Sequence, residues 1–331
     1  MPGTVCVGFA PLLPLAAALL ASCVVAPHAV DVTQPDTPGN YIVVAGEHVP
    51  VAVPVVHWFD PGGYSAYDTL PGTGDEPPVG LRYRPGRAVP DGLFDAGATE
   101  RLRSGHATRA ELAGFVNQFV IHYDVCGTSQ VCFRVLQQYR GLSVHFMCDL
   151  DGTVYQTLDL ADQAWHAAKA NARSVGVEVA QIGAYRPSSD MANERLDEWY
   201  QDLEDGTTAV TLPERFGDGG LRSPKRAELT ATPGITEGAI HGEPLVQYDF
   251  TAAQYESLAA LAAALHEALP GIALESPRET SGELMRRALT DEEYDTYAGL
   301  LGHYHVTTRK TDPGPAFRWN DLVEAAQKLS M

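Results

Sequence analysis

The sequence predicts an α/β fold, and three observations carry that reading. "FVNQFVIHYD" and "SVGVEVAQI" have the β-branched and aromatic content of buried strands. "SVHFMCDLDGTVYQTL" reads as a hairpin with Asp151-Gly152 as its turn dipeptide. "TAAQYESLAALAAALHEALP" repeats apolar residues at helical spacing.

Regular patterning begins near Thr108. The first strand is read from about Phe115 to Ile121 and ends at His122, and "SQVCFRVLQQY" follows as a helix. In "SVGVEVAQI", Val175, Val177 and Val179 share one face, so Glu178 faces the other. A glutamate inside so apolar a strand needs a reason, because an unpaired buried charge is costly. Residues 186–249 are polar, Gly-rich and punctuated by Pro; they read as an insertion beside a site, expected to shape substrate access. Thr251 and Gln254 then form a capping-box pattern. Tyr255, Leu258, Leu261, Leu265 and Leu269 follow at helical spacing until Pro270 stops the helix, and His266 on it is expected to be exposed. "FRWNDLVEAAQKL" is a last amphipathic helix.

Before Thr108 the character changes. Residues 23–107 are rich in Pro and Gly and read as a tether and extended N-terminal region that wraps a neighbour and lacks a core of its own. Within it, "YIVVAGEHVPVAVPVVHWF" could add an edge strand or two, and His48, His57 and His106 are read as surface or packing residues. Residues 1–22 read as an export signal: Pro11 to Ala21 is apolar but too short to span a bilayer, although no Lys or Arg precedes it. Leu20-Ala21-Ser22-Cys23 resembles a bacterial lipobox, which implies cleavage before Cys23 and a lipid anchor on that cysteine. Val24 is not the aspartate associated with inner-membrane retention, so the expected location is the outer membrane, facing the periplasm.

Export would also decide the cysteines, because disulfides persist in oxidising compartments. Cys126 and Cys132 flank a Gly-Thr-Ser turn closely enough to form a disulfide, with a metal-binding pair as the competing reading; Cys148 is expected to be a buried free thiol. The 331 residues, 45% of them hydrophobic, suffice for a proper core. A formal charge of -19 repels polyanions, which excludes nucleic acid as a partner. We expect a monomer.

The chemistry concentrates in "GHYHVTTRKTDPGPAF" and in His122. A catalytic zinc site uses three protein ligands and keeps one position open for water, and His with carboxylate is a frequent set. His122 lies at the carboxyl end of a predicted strand, where α/β folds place functional loops. Asp312 is fixed by the turn at Pro313-Gly314, and His303 and His305 both lie close enough in sequence to join it.

Together, "FVIHYD", "SVHFMCDLDGTVYQ", "AWHA", "SVGVEVAQIGA", "YDFTAAQYESLAALAAAL" and "GHYHVTTRKTDPGPAF" resemble, in order and type, the blocks of type 2 N-acetylmuramoyl-L-alanine amidases. These bacterial zinc enzymes share a fold with peptidoglycan recognition proteins. The resemblance spans residues 108–331 apart from the insertion. It implies a central mixed β-sheet flanked by helices on both faces, Zn2+ as cofactor, and peptidoglycan or muropeptide as substrate. Carried over by position, it makes His122, His303 and Asp312 the zinc ligands. The loop from His303 to Asp312 is one residue shorter than the commoner pattern, and the Gly302-His303 pair assigns ligation to His303. His305, where relatives often carry Asp, is read as lying behind the ligands or facing solvent.

Glu178 falls at the family's acidic catalytic position and Lys310 at its lysine beside the metal. Trp165 and His166 fall where relatives line the substrate groove, and His145 is read as a structural residue hydrogen-bonded inside the sheet. Cys126 and Cys132 are similar to the short-range disulfide of the recognition proteins. The alternative implied is a recognition module that binds muropeptide without cutting it; the presence of all three ligand positions, with Glu178 and Lys310, favours the enzyme.

Overall fold

Alternation of side chains between two faces builds the central sheet, and both faces are covered. A computed structural model describes residues 39–68, 80–187 and 189–331; the expected signal segment and Cys23 lie outside them. Strands β1 (Gly39–Val44) and β2 (Glu47–His57) form a hairpin whose two-residue turn, Ala45-Gly46, has positive φ at both positions, as such turns require. Helix α1 (Ala96–Ser104) follows, capped by the Asp95 side chain. Next come β3 (Gln118–Tyr123), α2 (Ser129–Arg134), β4 (Phe146–Cys148), β5 (Val154–Gln156) and β6 (Ser174–Val179). Helix α3 (Ala252–Ala268), β7 (Gly299–Gly302) and α4 (Trp319–Leu329) complete the frame.

The seven strands lie in the order β1-β2-β5-β4-β6-β3-β7. The sheet is mixed: β4, β6, β3 and β7 run parallel, as do β2 and β5, while β1 with β2 and β4 with β5 are antiparallel. On one face Phe119, Ile121, Phe146, Cys148, Val175, Val177 and Val179 join the core that includes Leu258, Leu261 and Leu265 of α3 and Leu322 of α4. On the other, Val56, Met147 and Tyr155 pack on Cys132 and Leu136. Each fully buried Val, Leu or Phe contributes about 1.5–3 kcal/mol. Helices therefore flank the sheet on both sides, as the resemblance implies.

The 107/108 boundary is not a boundary of this sheet. β1 and β2 extend it, and Pro50 and Pro54 are accommodated because β5 pairs only with Val55–His57 of β2, leaving both prolines outside that ladder. The first predicted strand begins three residues later than expected, at Gln118, and runs on to Tyr123. The helix "SQVCFRVLQQY" is α-helical only to Arg134 and continues as a wider π-helical turn over Val135–Arg140. The Asp151-Gly152 hairpin and the capping box of Thr251 with Gln254 form as predicted. His266 is partly buried and donates through Nδ1 to the carbonyl of Ile272.

Cys126 and Cys132 are free thiols, against the expected disulfide. Their side chains are hydrogen-bonded to each other, and Cys132 also bonds to the Asp124 carboxylate. Burial, the Cys126 contact and the nearby Asp124 push the Cys132 thiol well above its usual range, which disfavours the reactive thiolate. Cys148 is buried and free, as expected. No helix among the described residues is long and apolar enough to cross a membrane.

Candidate functional site

The parallel strands bring the site together at their carboxyl ends. His122 of β3 is registered against Glu178 of β6, and paired residues on neighbouring strands share a face. Gly302 of β7 pairs with Ile121, so His303, the next residue, emerges beside His122. Asp312 arrives from the following loop. That loop is anchored by the insertion: Gln247 Nε2 donates to the carbonyl of Pro313 at 3.0 Å, its Oε1 accepts from the Ala316 amide at 3.1 Å, and His241 Nε2 donates to the carbonyl of Lys310 at 2.9 Å. Gly314 has φ +88°, and a Cβ there would lie 2.1 Å from Gln247 Oε1, so only glycine allows this close approach.

His122 Nδ1 lies 2.8 Å and His303 Nδ1 3.0 Å from the same oxygen, Asp312 Oδ2. All three residues are buried, and one donor atom from each lies within 4.8 Å of the others. Burial, then the neighbouring His303, lower the His122 pKa to about 4, so its imidazole is neutral at pH 7. Burial opposes ionisation of Asp312, but the neighbouring His303 and the close polar contacts of both imidazoles overcome it and hold the carboxyl well below its usual range. Two imidazoles and one carboxylate converging in a buried pocket form a donor set suited to a divalent cation, and its N,N,O composition fits a catalytic zinc site. His122, His303 and Asp312 are therefore the residues that would hold the metal.

A cleft of about 250 Å³ opens onto these residues and is also lined by Glu178, Lys310, Trp165, His166, Arg140 and Arg309. Burial, with Asp312 and Asp124 nearby, pushes the Glu178 carboxyl well above its usual range, and Lys310 opposes the shift. His166 does more than line the groove: its Nδ1 lies 3.0 Å from His122 Nε2. Its backbone is pinned by Asn171, whose Oδ1 accepts from the amides of His166 and Ala167.

His305 is not a ligand in this arrangement. It is buried, its Nδ1 accepts from the Gly302 amide and its Nε2 donates to the carbonyl of Met285, so it braces the turn that delivers His303. His145 is structural, as expected: Nδ1 accepts from the Gly176 amide and Nε2 donates to the carbonyl of Asp162. None of the described residues of the insertion lines the cleft. Instead of shaping access there, it packs behind the Asp312 loop through Gln247 and His241.

Sequence reasoning missed Arg140, Arg309, Gly176, Arg87 and Gln247. Gly176 lies beneath His166, where an added Cβ would be 2.5 Å from His166 Nδ1. Alternation along β6 could have found it, because Gly176 shares the face of Glu178. Arg87 is fully buried and donates to the carbonyls of Leu160, Asn171 and Ser174, tying the N-terminal region to the segment that carries Trp165 and His166. No sequence pattern marks it.

The sequence profile of the N-acetylmuramoyl-L-alanine amidase family matches residues 112–211, a stretch that holds His122, Trp165, His166 and Glu178. His303, Lys310 and Asp312 lie beyond the matched amidase segment and join it through β7. None of the curated proteins compared with the chain matches it. Among solved structures, the N-acetylmuramyl-L-alanine amidase AmiD from E. coli, in complex with the substrate anhydro-N-acetylmuramic acid-L-Ala-D-gamma-Glu-L-Lys, is 16% identical with a TM-score of 0.34, covering 63% of this chain and 57% of AmiD. The chain thus spans little more than half of that structure. An AmpD derivative is 17% identical, with a TM-score of 0.31, over 73% of this chain and 94% of its own. The hydrolase AmiA of Staphylococcus aureus, in complex with its ligand, is 13% identical, with a TM-score of 0.34, over 75% and 97%. These similarities are too low to assign roles to residues, which rest here on the geometry of the matched segment and the loop that completes it.

Proposed function

We propose that the protein is a zinc-dependent hydrolase that cuts the amide joining N-acetylmuramic acid to L-alanine in peptidoglycan or its muropeptide fragments. One observation carries this reading: the buried convergence of His122, His303 and Asp312 at the mouth of a cleft that also holds Glu178, within a fold whose central segment matches the amidase family. When bound, zinc supplies Lewis acidity, polarising the amide carbonyl and lowering the pKa of water toward neutrality.

The residues of the chain supply the rest. Glu178 takes a proton from the attacking water and returns it to the departing amine; a carboxyl pushed upward by burial suits that exchange, because a general base works best with a pKa near the operating pH. The Lys310 ammonium, in the same cleft, stabilises the negative oxygen that develops as the carbonyl is attacked. Arg140 and Arg309 add positive charge to the cleft of an otherwise acidic protein, which favours a substrate bearing carboxylates. Leu20-Ala21-Ser22-Cys23 supports a lipid-anchored form at the outer membrane, facing the periplasm, where wall fragments are found. The enzyme is proposed to act as a monomer.

Metal analysis of the purified chain, with incubation on intact sacculi and on anhydro-muropeptides followed by mass spectrometry, tests the proposal. The expected result is about one zinc per chain and release of peptide stems. Binding of muropeptide without release would identify a recognition module and overturn the hydrolase.

A further inference from the structure

Four contacts running out from Asp312 of the metal-binding triad form a chain whose protons can be placed by elimination. Ser174 Oγ lies 2.7 Å from the carbonyl of Ala170 and 3.2 Å from His166 Nε2; His166 Nδ1 lies 3.0 Å from His122 Nε2; and His122 Nδ1 lies 2.8 Å from Asp312 Oδ2. A serine hydroxyl has one proton, and a carbonyl can only accept. The Ser174 proton therefore goes to Ala170, and Ser174 can only accept from His166. That places the His166 proton on Nε2 and a lone pair on Nδ1. The contact to His122 then needs a proton on His122 Nε2, which leaves His122 Nδ1 bare 2.8 Å from the Asp312 carboxylate, a pairing of two lone pairs that holds when a cation lies between them.

With a metal bound, the other end of the chain gives the same answer. A neutral imidazole that ligates a metal through Nδ1 carries its proton on Nε2, and that proton needs an acceptor. Here the acceptor is His166 Nδ1. The parts are also held rigidly: Asn171 fixes the backbone of His166, bare Gly176 gives its ring room against β6, and Arg87 Nη1 donates to the carbonyl of Ser174 at 2.8 Å.

We propose that Ser174 is a positioning residue: through His166 it fixes the proton of His122 on Nε2 and keeps Nδ1 free for the metal. The inference rests on the assignment of His122 as a ligand and deepens the proposed function. Without the hydroxyl, His166 can carry its proton on Nδ1 and point it at His122, which then loses its acceptor.

Nuclear magnetic resonance of the full chain labelled with 15N-histidine reads which ring nitrogen bears the proton. In the zinc-loaded wild type, His122 and His166 are both expected in the Nε2–H form. In Ser174→Ala, the Nδ1–H form of His166 should appear, and zinc affinity measured by chelator competition should fall about ten- to a hundredfold. A wild-type His166 protonated on Nδ1, or a Ser174→Ala protein with unchanged tautomer and affinity, overturns the proposal. The wild-type spectrum decides even if the variant does not fold. Zinc bound with this proton pattern but no release of peptide would keep the relay and remove the amidase; an active amidase with His166 protonated on Nδ1 would do the reverse.

Discussion

Glu178 shows how one side chain can be read twice. Its place among Val175, Val177 and Val179 marks it as anomalous in the sequence, and the register of β6 against β3 sets it beside His122. Burial raises its pKa, which moves the carboxyl toward the range where it can exchange a proton with water. Glu178→Gln keeps the shape and removes the exchangeable proton. The variant should bind zinc as the wild type does and cleave muropeptide about a hundredfold to ten-thousandfold more slowly. Steady-state cleavage alongside metal content checks this, and an unimpaired rate would take the proton shuttle away from Glu178. His305 is the opposite case: two residues from His303, it is occupied at both nitrogens by backbone groups and has none to offer a metal.

At the scale of elements, the loop from His303 to Asp312 is held by a strand far away in sequence. Gln247 lies on the strand Glu243–Tyr248, is fully buried, and uses both ends of its amide on the backbone that follows Asp312. Gln247→Ala would leave the Pro313 carbonyl and the Ala316 amide without these partners, at a cost of about 1–3 kcal/mol for each buried group left unpaired. Because the slack falls next to a ligand, zinc affinity should drop about tenfold or more, and isothermal titration with zinc measures it. Retained affinity would show that Asp312 is held by other means, such as the contact of its carbonyl with the Tyr304 amide. β6 is the other element that matters: Ser174, Gly176 and Glu178 occupy one face in succession, and each serves the site differently.

For the molecule as a whole, the N-terminal region is part of the structure that carries the site. β1 and β2 extend the sheet, and Arg87 is fully buried with its donors on the carbonyls of Leu160, Asn171 and Ser174. Burial lowers its pKa to about 10, so it remains charged at neutral pH. Arg87→Met would remove a charge that bridges three chain segments and leave buried carbonyls unpaired, so unfolding in denaturant should show a loss of about 3 kcal/mol or more. An unchanged midpoint would mean that water takes over these carbonyls at little cost. The acidic net charge acts at this scale too, since Arg140, Arg309 and Lys310 gather positive charge in the cleft of a chain with formal charge -19.

Local pattern was enough to read much of this protein from its sequence. The buried strands around His122 and Glu178, the Asp151-Gly152 hairpin and the capping box at Thr251 are signalled by neighbours within a few positions, because periodicity and turn chemistry are local properties; the set His122, His303 and Asp312 follows from the resemblance of the sequence blocks to a family. The tertiary structure decided what depends on partners distant in the chain. It showed that residues 39–57 belong to the sheet, that Cys126 and Cys132 meet as thiols, and that His305 serves backbone and not metal. It also showed that Gln247, Arg87 and Ser174 hold the site in place. Hydrogen bonds between segments separated by tens of residues leave no periodic trace, so only the folded chain reveals which side chain each buried polar group has found.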